Sequence, residues 1–191
     1  MAKNIDYFGD WQNLPVFSPA VICIGKFDGV HLGHQQLLLQ GQALANELQV
    51  KLRVVCFDPH PSSYFSGKPL SALTTIEQRS KWLRYYKVDE VVCLKFNSGL
   101  AELGAEEFLQ FVLLNKMQAQ GVVVGQDFCF GRGKAGNIRM LDCWAKNEGL
   151  QLIVADDVCY FGRRISASWC VECLQRNQDA LLLKLLNRDK L

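Results

Sequence analysis

The sequence predicts an α/β fold in which a parallel sheet carries helices on both faces. Two observations predict it. Short apolar runs occur at residues 20–25, 52–57, 90–96, 121–125 and 150–155, four of them rich in Val or Ile and none alternating cleanly with polar residues. That is the pattern of strands covered on both sides. Between the runs lie stretches of helical spacing, so that strand and helix alternate through residue 155, the order of a parallel sheet built from crossover units.

In chain order, Leu37, Leu38, Leu44 and Leu48 share one broad helical face after the first run. Thr75 is placed as the N-cap of a helix over residues 76–86. Ala105, Glu106 and Glu107 form an acidic first turn for a helix that turns Phe108, Phe111, Val112 and Met117 to one side. Asn137 caps a shorter helix over residues 138–146. Beyond residue 155 the pattern becomes irregular, with short strands at 158–161 and 164–166 and a Leu-rich helix at 179–187. No Pro/Gly/Ser-rich linker or internal repeat divides the chain, so a single domain over residues 1–191 is expected.

Composition agrees and narrows the classes of function. With 191 residues, 49% of them hydrophobic and 21% charged, the chain has enough apolar side chain to fold, but no room for two full catalytic domains. The net charge of +2 offers no large basic field for nucleic-acid phosphates, so no nucleic-acid partner is expected. No apolar run reaches the roughly 20 residues that span a bilayer, and the N-terminus has no signal pattern. A cytoplasmic protein without a membrane partner is therefore expected. The eight cysteines read as buried thiols, because several lie inside apolar runs such as Val21-Ile22-Cys23-Ile24 and Val91-Val92-Cys93-Leu94.

Ligands of open parallel sheets bind beyond the C-terminal ends of the strands. The densest chemical signal lies at that edge: Gly25-Lys26-Phe27-Asp28-Gly29-Val30-His31-Leu32-Gly33-His34, between the first strand and the first helix. Two of the chain's three histidines fall here, three residues apart at a helix start, where both can lie on one side. Gly29 and Gly33 lack a Cβ, which lets backbone N–H groups and the positive end of the helix approach an anion such as phosphate. The spacing is neither that of a Walker A loop nor that of the dinucleotide fingerprint. Zinc would need a third ligand, and neither an HExxH arrangement nor a nearby cysteine pair supplies one. The metal ligands stay unassigned.

The segment Phe27–His34 resembles the HxGH signature of the nucleotidyltransferase superfamily, in the extended form typical of bacterial FAD synthetases. Three further segments are similar to that family in the same order: Phe57-Asp58-Pro59-His60-Pro61, Ala105-Glu106-Glu107-Phe108, and Val124-Gly125-Gln126-Asp127-Phe128-Cys129-Phe130-Gly131. The resemblance covers residues 20–188 and implies a Rossmann-like nucleotidyltransferase fold.

It implies transfer of AMP from ATP to the phosphate of FMN, giving FAD and pyrophosphate. No covalent nucleophile is needed, because the FMN phosphate can attack the α-phosphorus directly. His31 and His34 take the catalytic positions, as donors to the phosphate oxygens of ATP and, if protonated, as charge for the leaving pyrophosphate. By resemblance Gly25, Phe27, Asp28, Gly29, Gly33, Asp127, Arg164, Ser166 and Ser168 bind ATP, while Pro59, His60, Pro61, Phe65 and Phe128 bind flavin. Magnesium is expected to accompany ATP, held largely by substrate oxygens and water.

Two of these assignments have plainer readings. Residues 57–61 also make a rigid turn fixed by two prolines, and Asp127 also suits a brace within its own turn. Arg132 and Lys134, in a basic glycine-rich loop, read as solvated and are left out of the site.

The chain departs from the family at Arg164-Ile165-Ser166-Ala167-Ser168-Trp169-Cys170-Val171. The family pattern there is Ile-Ser-Ser-Thr, a variable residue, then Ile-Arg; Ala167 replaces a serine and Val171 stands at the arginine. Loss of one charge-assisted contact costs about 1.5–3 kcal/mol, which slows an enzyme unless Arg163, Arg164 or Arg176 supplies the charge. A flavin- or nucleotide-binding paralogue with a regulatory role, or a nucleotidyltransferase for another phosphorylated acceptor, therefore stands beside the leading reading. The lone CxxC of Cys170 and Cys173 suits a redox pair on paper, although helical spacing makes two semi-buried thiols the default. Family members commonly continue into a riboflavin kinase domain, which would begin after Leu186-Asn187-Arg188. Since the sequence given stops at Leu191, riboflavin phosphorylation is not expected of it. The oligomeric state is left open.

Overall fold

The computed structural model describes residues 5–68 and 71–189 of the chain. In order, β1 spans Tyr7–Gly9, β2 Ala20–Ile24, α1 Leu32–Leu48, β3 Lys51–Asp58, α2 Pro61–Ser66, α3 Ile76–Tyr85 and β4 Glu90–Lys95. After α4 (Ser98–Ala101) and α5 (Ala105–Glu107), the last continuing directly as a π-helix over Phe108–Lys116, come β5 (Ala119–Gly125), α6 (Ile138–Asn147) and β6 (Gln151–Ala155). The tail forms β7 (Cys159–Tyr160), β8 (Arg163–Arg164), α7 (Ala167–Gln175) and α8 (Asp179–Leu186).

Six strands make one sheet in the order β1-β4-β3-β2-β5-β6, and every pairing is parallel. The α/β class and the helices on both faces are as the sequence predicts. Alternate residues of each strand feed opposite cores, as the pleat requires. Val21 and Cys23 of β2 pack with Val54, Val91 and the α1 side chains Leu37, Leu38 and Leu44. Ile22 and Ile24 face the other way, toward Val92, Val122, Leu109, Val112 and Leu141. Thr75 and Asn137 cap their helices: Thr75 accepts from the Gln78 N–H at 3.2 Å, and Asn137 from Met140 at 3.1 Å.

Three expectations change. Strand β1 escaped the sequence reading, because Tyr7, Phe8 and Gly9 make no apolar run and only add an edge to β4. Phe111 is 48% exposed rather than sharing the buried face of Phe108, Val112 and Met117. The wide π-helical turns explain this: the Met117 N–H donates to Val112, five residues back, and the buried stripe runs at longer spacing than an α-helix allows. Among the cysteines, Cys23, Cys56, Cys93, Cys170 and Cys173 are buried, but Cys129, Cys143 and Cys159 are exposed; all eight are free.

Residues 159–164 fold as a two-stranded antiparallel hairpin apart from the main sheet. Behind it, α7 and α8 close on a third small core of Ile165, Trp169, Cys170, Cys173, Leu182, Leu185 and Leu186, against which Leu32 and Leu73 pack. The Cys170 thiol is pushed up to about 12 by burial, and the Cys173 thiol is raised as well. Both are therefore protonated core side chains, and neither has the depressed pKa of a redox thiol. No helix among the described residues is long and apolar enough to cross a membrane.

Candidate active site

Strand order reverses around β2, whose neighbours are β3 and β5, and the C-terminal ends of these strands surround a cleft of ≈ 460 Å3. Gly25 and Lys26 enter from the end of β2, His60, Pro61 and Ser62 from beyond β3, and Gly125, Asp127, Phe128 and Cys129 from β5. Asp156 and Asp157 follow β6, and the hairpin and the start of α7 contribute Arg164, Ile165, Ser166 and Ala167. His31, Gly33, His34 and Leu37 form the wall at the start of α1. This is where open parallel sheets bind ligands.

His31 is the N-cap of α1. Its Nδ1 accepts the His34 backbone N–H at 3.4 Å, so the ring proton is assigned to Nε2. Gly33 lies close against this ring: a Cβ there would lie 3.2 Å from His31 Cε1 and 3.3 Å from Nδ1, so the imidazole would have to give by a few tenths of an ångström. The two imidazoles stack with centroids 3.7 Å apart and planes inclined by 19°. Burial, followed by the Arg164 guanidinium, lowers the His31 pKa to about 4. Burial, then the stacked His31 and Arg79, holds His34 well below the ordinary histidine range. Both rings are thus neutral at pH 7, and they would act as N–H donors rather than as the cations considered from sequence. His34 Nδ1 is buried and has no hydrogen-bond partner among the described residues.

On the opposite wall, His60 caps α2 by accepting the Ser62 N–H on Nδ1 at 3.2 Å, and burial followed by Lys26 lowers its pKa to about 4. Arg164 joins two strand ends: Nη1 reaches Asp127 Oδ2 at 3.0 Å and Nε reaches Asp157 Oδ1 at 2.7 Å. The Arg164 contact lowers the Asp127 carboxyl, and Asp127 in turn raises the Arg164 guanidinium. Ser166 caps α7 by accepting the Trp169 N–H at 3.2 Å, so the start of a second helix also faces the cleft.

The structure brings together Gly25, His31, Gly33, His34, His60, Pro61, Asp127, Phe128, Arg164 and Ser166. The other residues named from sequence do not line the cleft. Phe27 is buried beneath it, 5.0 Å from the His34 ring. The Asp28 carboxylate is fully buried and accepts from the backbone N–H groups of Leu73 and Thr74 and from the Thr74 hydroxyl, at 2.8–3.1 Å. Gly29, with φ of +70°, donates to Thr74 Oγ1 at 3.2 Å, and a Cβ there would meet Leu73 Cδ1 at 2.7 Å. Asp28 and Gly29 therefore shape the loop from behind. Pro59 and Ser168 are exposed, and Phe65 joins its α2 neighbour Tyr64 and Phe96 in a cluster of edge-to-face rings.

Sequence reasoning missed Lys26, Lys134, Asp156 and Asp157 as cleft residues. The aspartates follow the last strand of the sheet directly, a position that the strand-end rule marks. The cleft also shows where positive charge stands in the chain that carries Val171: Lys26, Lys134 and Arg164 line it. Arg163 and Arg176 instead pair with Glu172 at 2.6 and 3.0 Å.

The family model for FAD synthetase matches residues 15–169, a span holding both histidines and the α7 cap. The bifunctional riboflavin kinase/FMN adenylyltransferase of Haemophilus influenzae is 35% identical over 176 residues, covering 91% of this chain and 56% of that protein. The protein of the same description from Buchnera aphidicola subsp. Schizaphis graminum is 32% identical over 173 residues, covering 90% and 55%. The chain thus spans about half the length of the curated relatives it matches. A crystal structure described as a macrolide-efflux protein from Streptococcus pneumoniae shares the fold, with a TM-score of 0.82 at 24% identity over 94% of this chain and 58% of that one. With a family match that runs from the segment before β2 to the first turn of α7, this chain belongs to the FAD synthetase family.

Proposed function

We propose that the chain is an FMN adenylyltransferase, transferring AMP from ATP to FMN with release of pyrophosphate. One observation carries the reading: in a member of this family, the stacked His31 and His34 face a strand-end cleft that also holds the starts of α1 and α7 and the cations Lys26, Lys134 and Arg164. A phosphate oxygen of FMN attacks the α-phosphorus of ATP; the new P–O bond forms as the bond to the pyrophosphate oxygen breaks. The chain's part is to position two anions and to stabilise charge gathering on the phosphoryl oxygens. His31 Nε2–H and the helix starts donate to those oxygens, while the lysines and Arg164 offset the charge of pyrophosphate. Phe57, Phe128 and the His60–Pro61 turn offer the apolar side on which an isoalloxazine ring would rest.

Magnesium would enter with ATP, as part of that substrate. Among the described residues, no group of three or more His, Cys, Asp or Glu could hold a metal ion, and Asp127 and Asp157 are paired with Arg164. Incubation with magnesium, ATP and FMN, followed by chromatography, is expected to yield FAD from the natural chain and much less from His31→Ala. Absence of FAD over a range of divalent cations, with the two proteins behaving alike, overturns the reading.

A further inference from the structure

The residues leading into His31 hold a backbone conformation that side chains rarely adopt. Phe27 (φ 50°), Gly29 (φ 70°) and Val30 (φ 46°) all lie in the left-handed region. For β-branched Val30 this is a costly state, which persists only where the surroundings over-determine it. One set of restraints comes from Leu73 and Thr74, through Asp28 and Gly29 as described above. A second set comes from the end of α8.

Arg188 Nη2 donates to the Gly29 carbonyl at 2.6 Å, and its guanidinium lies 3.5 Å from the centroid of the Trp82 ring. Gln35 Nε2 donates to the Val30 carbonyl and to the Leu186 carbonyl, each at 2.9 Å, and its Oε1 accepts from Asn187 Nδ2 at 3.2 Å. The carbonyls of the two residues immediately before His31 are therefore each held by a side chain. Gln35 is itself locked to the end of α8. Neither Arg188 nor Gln35 lines the cleft.

We propose that Arg188 and Gln35 are positioning residues for His31: by fixing the Gly29 and Val30 carbonyls they hold the left-handed turn that sets His31 at the head of α1 and stacks it on His34. If, as proposed above, the chain transfers AMP, the consequence falls on the chemical step more than on substrate binding, because neither side chain reaches the cleft.

The test uses the full chain with Arg188→Ala, Arg188→Lys and Gln35→Ala. The readouts are kcat and KM for ATP and FMN, together with the ring resonances of the chain's three histidines by NMR. In Arg188→Ala, kcat is expected to fall about 10–100-fold, as for a displaced catalytic group, with KM for ATP changed by about twofold or less. Arg188→Lys, which keeps a donor for the Gly29 carbonyl, is expected to recover part of the loss. The His31 and His34 rings are expected to shift while His60 stays in place. Unmoved His31 and His34 rings in a folded variant, or kcat within about twofold of the natural chain, overturn the assignment. Should Arg188→Ala fail to fold, Gln35→Ala is judged by the same two readouts. Should the natural chain make no FAD, the AMP-transfer reading falls separately, and the ring shifts alone decide whether the clamp positions His31.

Discussion

His31 and His34 lie face to face with their ring centroids 3.7 Å apart, and the stack is held by a backbone hydrogen bond from the second residue to the first. Two cations at that distance would repel strongly, and the buried setting already disfavours one. The pair is therefore built to be neutral at pH 7.

This fixes the pH dependence of stability. In the unfolded chain histidine titrates at its ordinary 6.5, whereas in the folded chain His31 titrates at about 4. Between those values the unfolded chain takes up a proton that the folded chain refuses. The contribution is complete above about pH 6.5 and is lost as the pH falls toward 4. At about 1.4 kcal/mol per unit, His31 alone accounts for roughly 3 kcal/mol. Urea midpoints measured from pH 7 to pH 4 are expected to fall steeply in the natural chain and less so in His31→Gln.

Arg164→Gln separates binding from folding. The guanidinium is 44% exposed, so losing its pairs with Asp127 and Asp157 is expected to change stability by about 1 kcal/mol or less. ATP affinity, by calorimetry, is expected to fall about 10–100-fold through loss of a charged contact. Because Arg164 depresses His31, the His31 pKa is expected to rise in this variant, while the Asp127 carboxyl returns upward toward its ordinary range.

The opposite rim of the sheet makes the converse prediction. Arg53 is fully buried; its Nε donates to Glu90 Oε2 at 2.8 Å and its Nη2 to the Ser18 carbonyl at 2.9 Å, with a further contact to the Met117 carbonyl. Glu90→Ala would strand that charge, at a cost of about 3–5 kcal/mol. A lowered urea midpoint is expected, with kcat unchanged at temperatures where the variant stays folded.

Thiol labelling reads burial directly. Cys129, Cys143 and Cys159 are expected to react with iodoacetamide in the native chain, and Cys23, Cys56, Cys93, Cys170 and Cys173 only after unfolding. Since Cys129 lines the cleft, ATP with FMN is expected to slow its labelling without affecting Cys143, as peptide mass spectrometry would show.

Five of the six sheet strands were legible because burial on both faces leaves runs such as Val91-Val92-Cys93-Leu94, and the helix starts because Thr75 and Asn137 are capping types. Phe111 was misplaced because nothing in its spacing announces π-helical turns. Within the site, His31, Gly33 and His34 stood out because histidines are scarce and clustered. Lys26, Lys134 and Asp156 did not, since a charged residue after a strand looks the same whether it faces a ligand or bulk water. Asp28 belongs to the signature, yet its carboxylate serves a backbone segment some 45 residues away, a contact that no local pattern encodes.

The hold of Arg188 on Gly29 spans 159 residues, and that of Gln35 on Leu186 spans 151. A chain made from its N-terminus onward can assemble β2, α1 and much of the sheet well before either contact exists. The turn ahead of His31 would then be held only from the side of Leu73 and Thr74, and the imidazole pair would gain its full set of restraints only after residue 188 had been made and α8 had docked. Under the proposed function, the site is set only once α8 has been made and docked, and a ribosome stalled before α8 would display the sheet with an unset site.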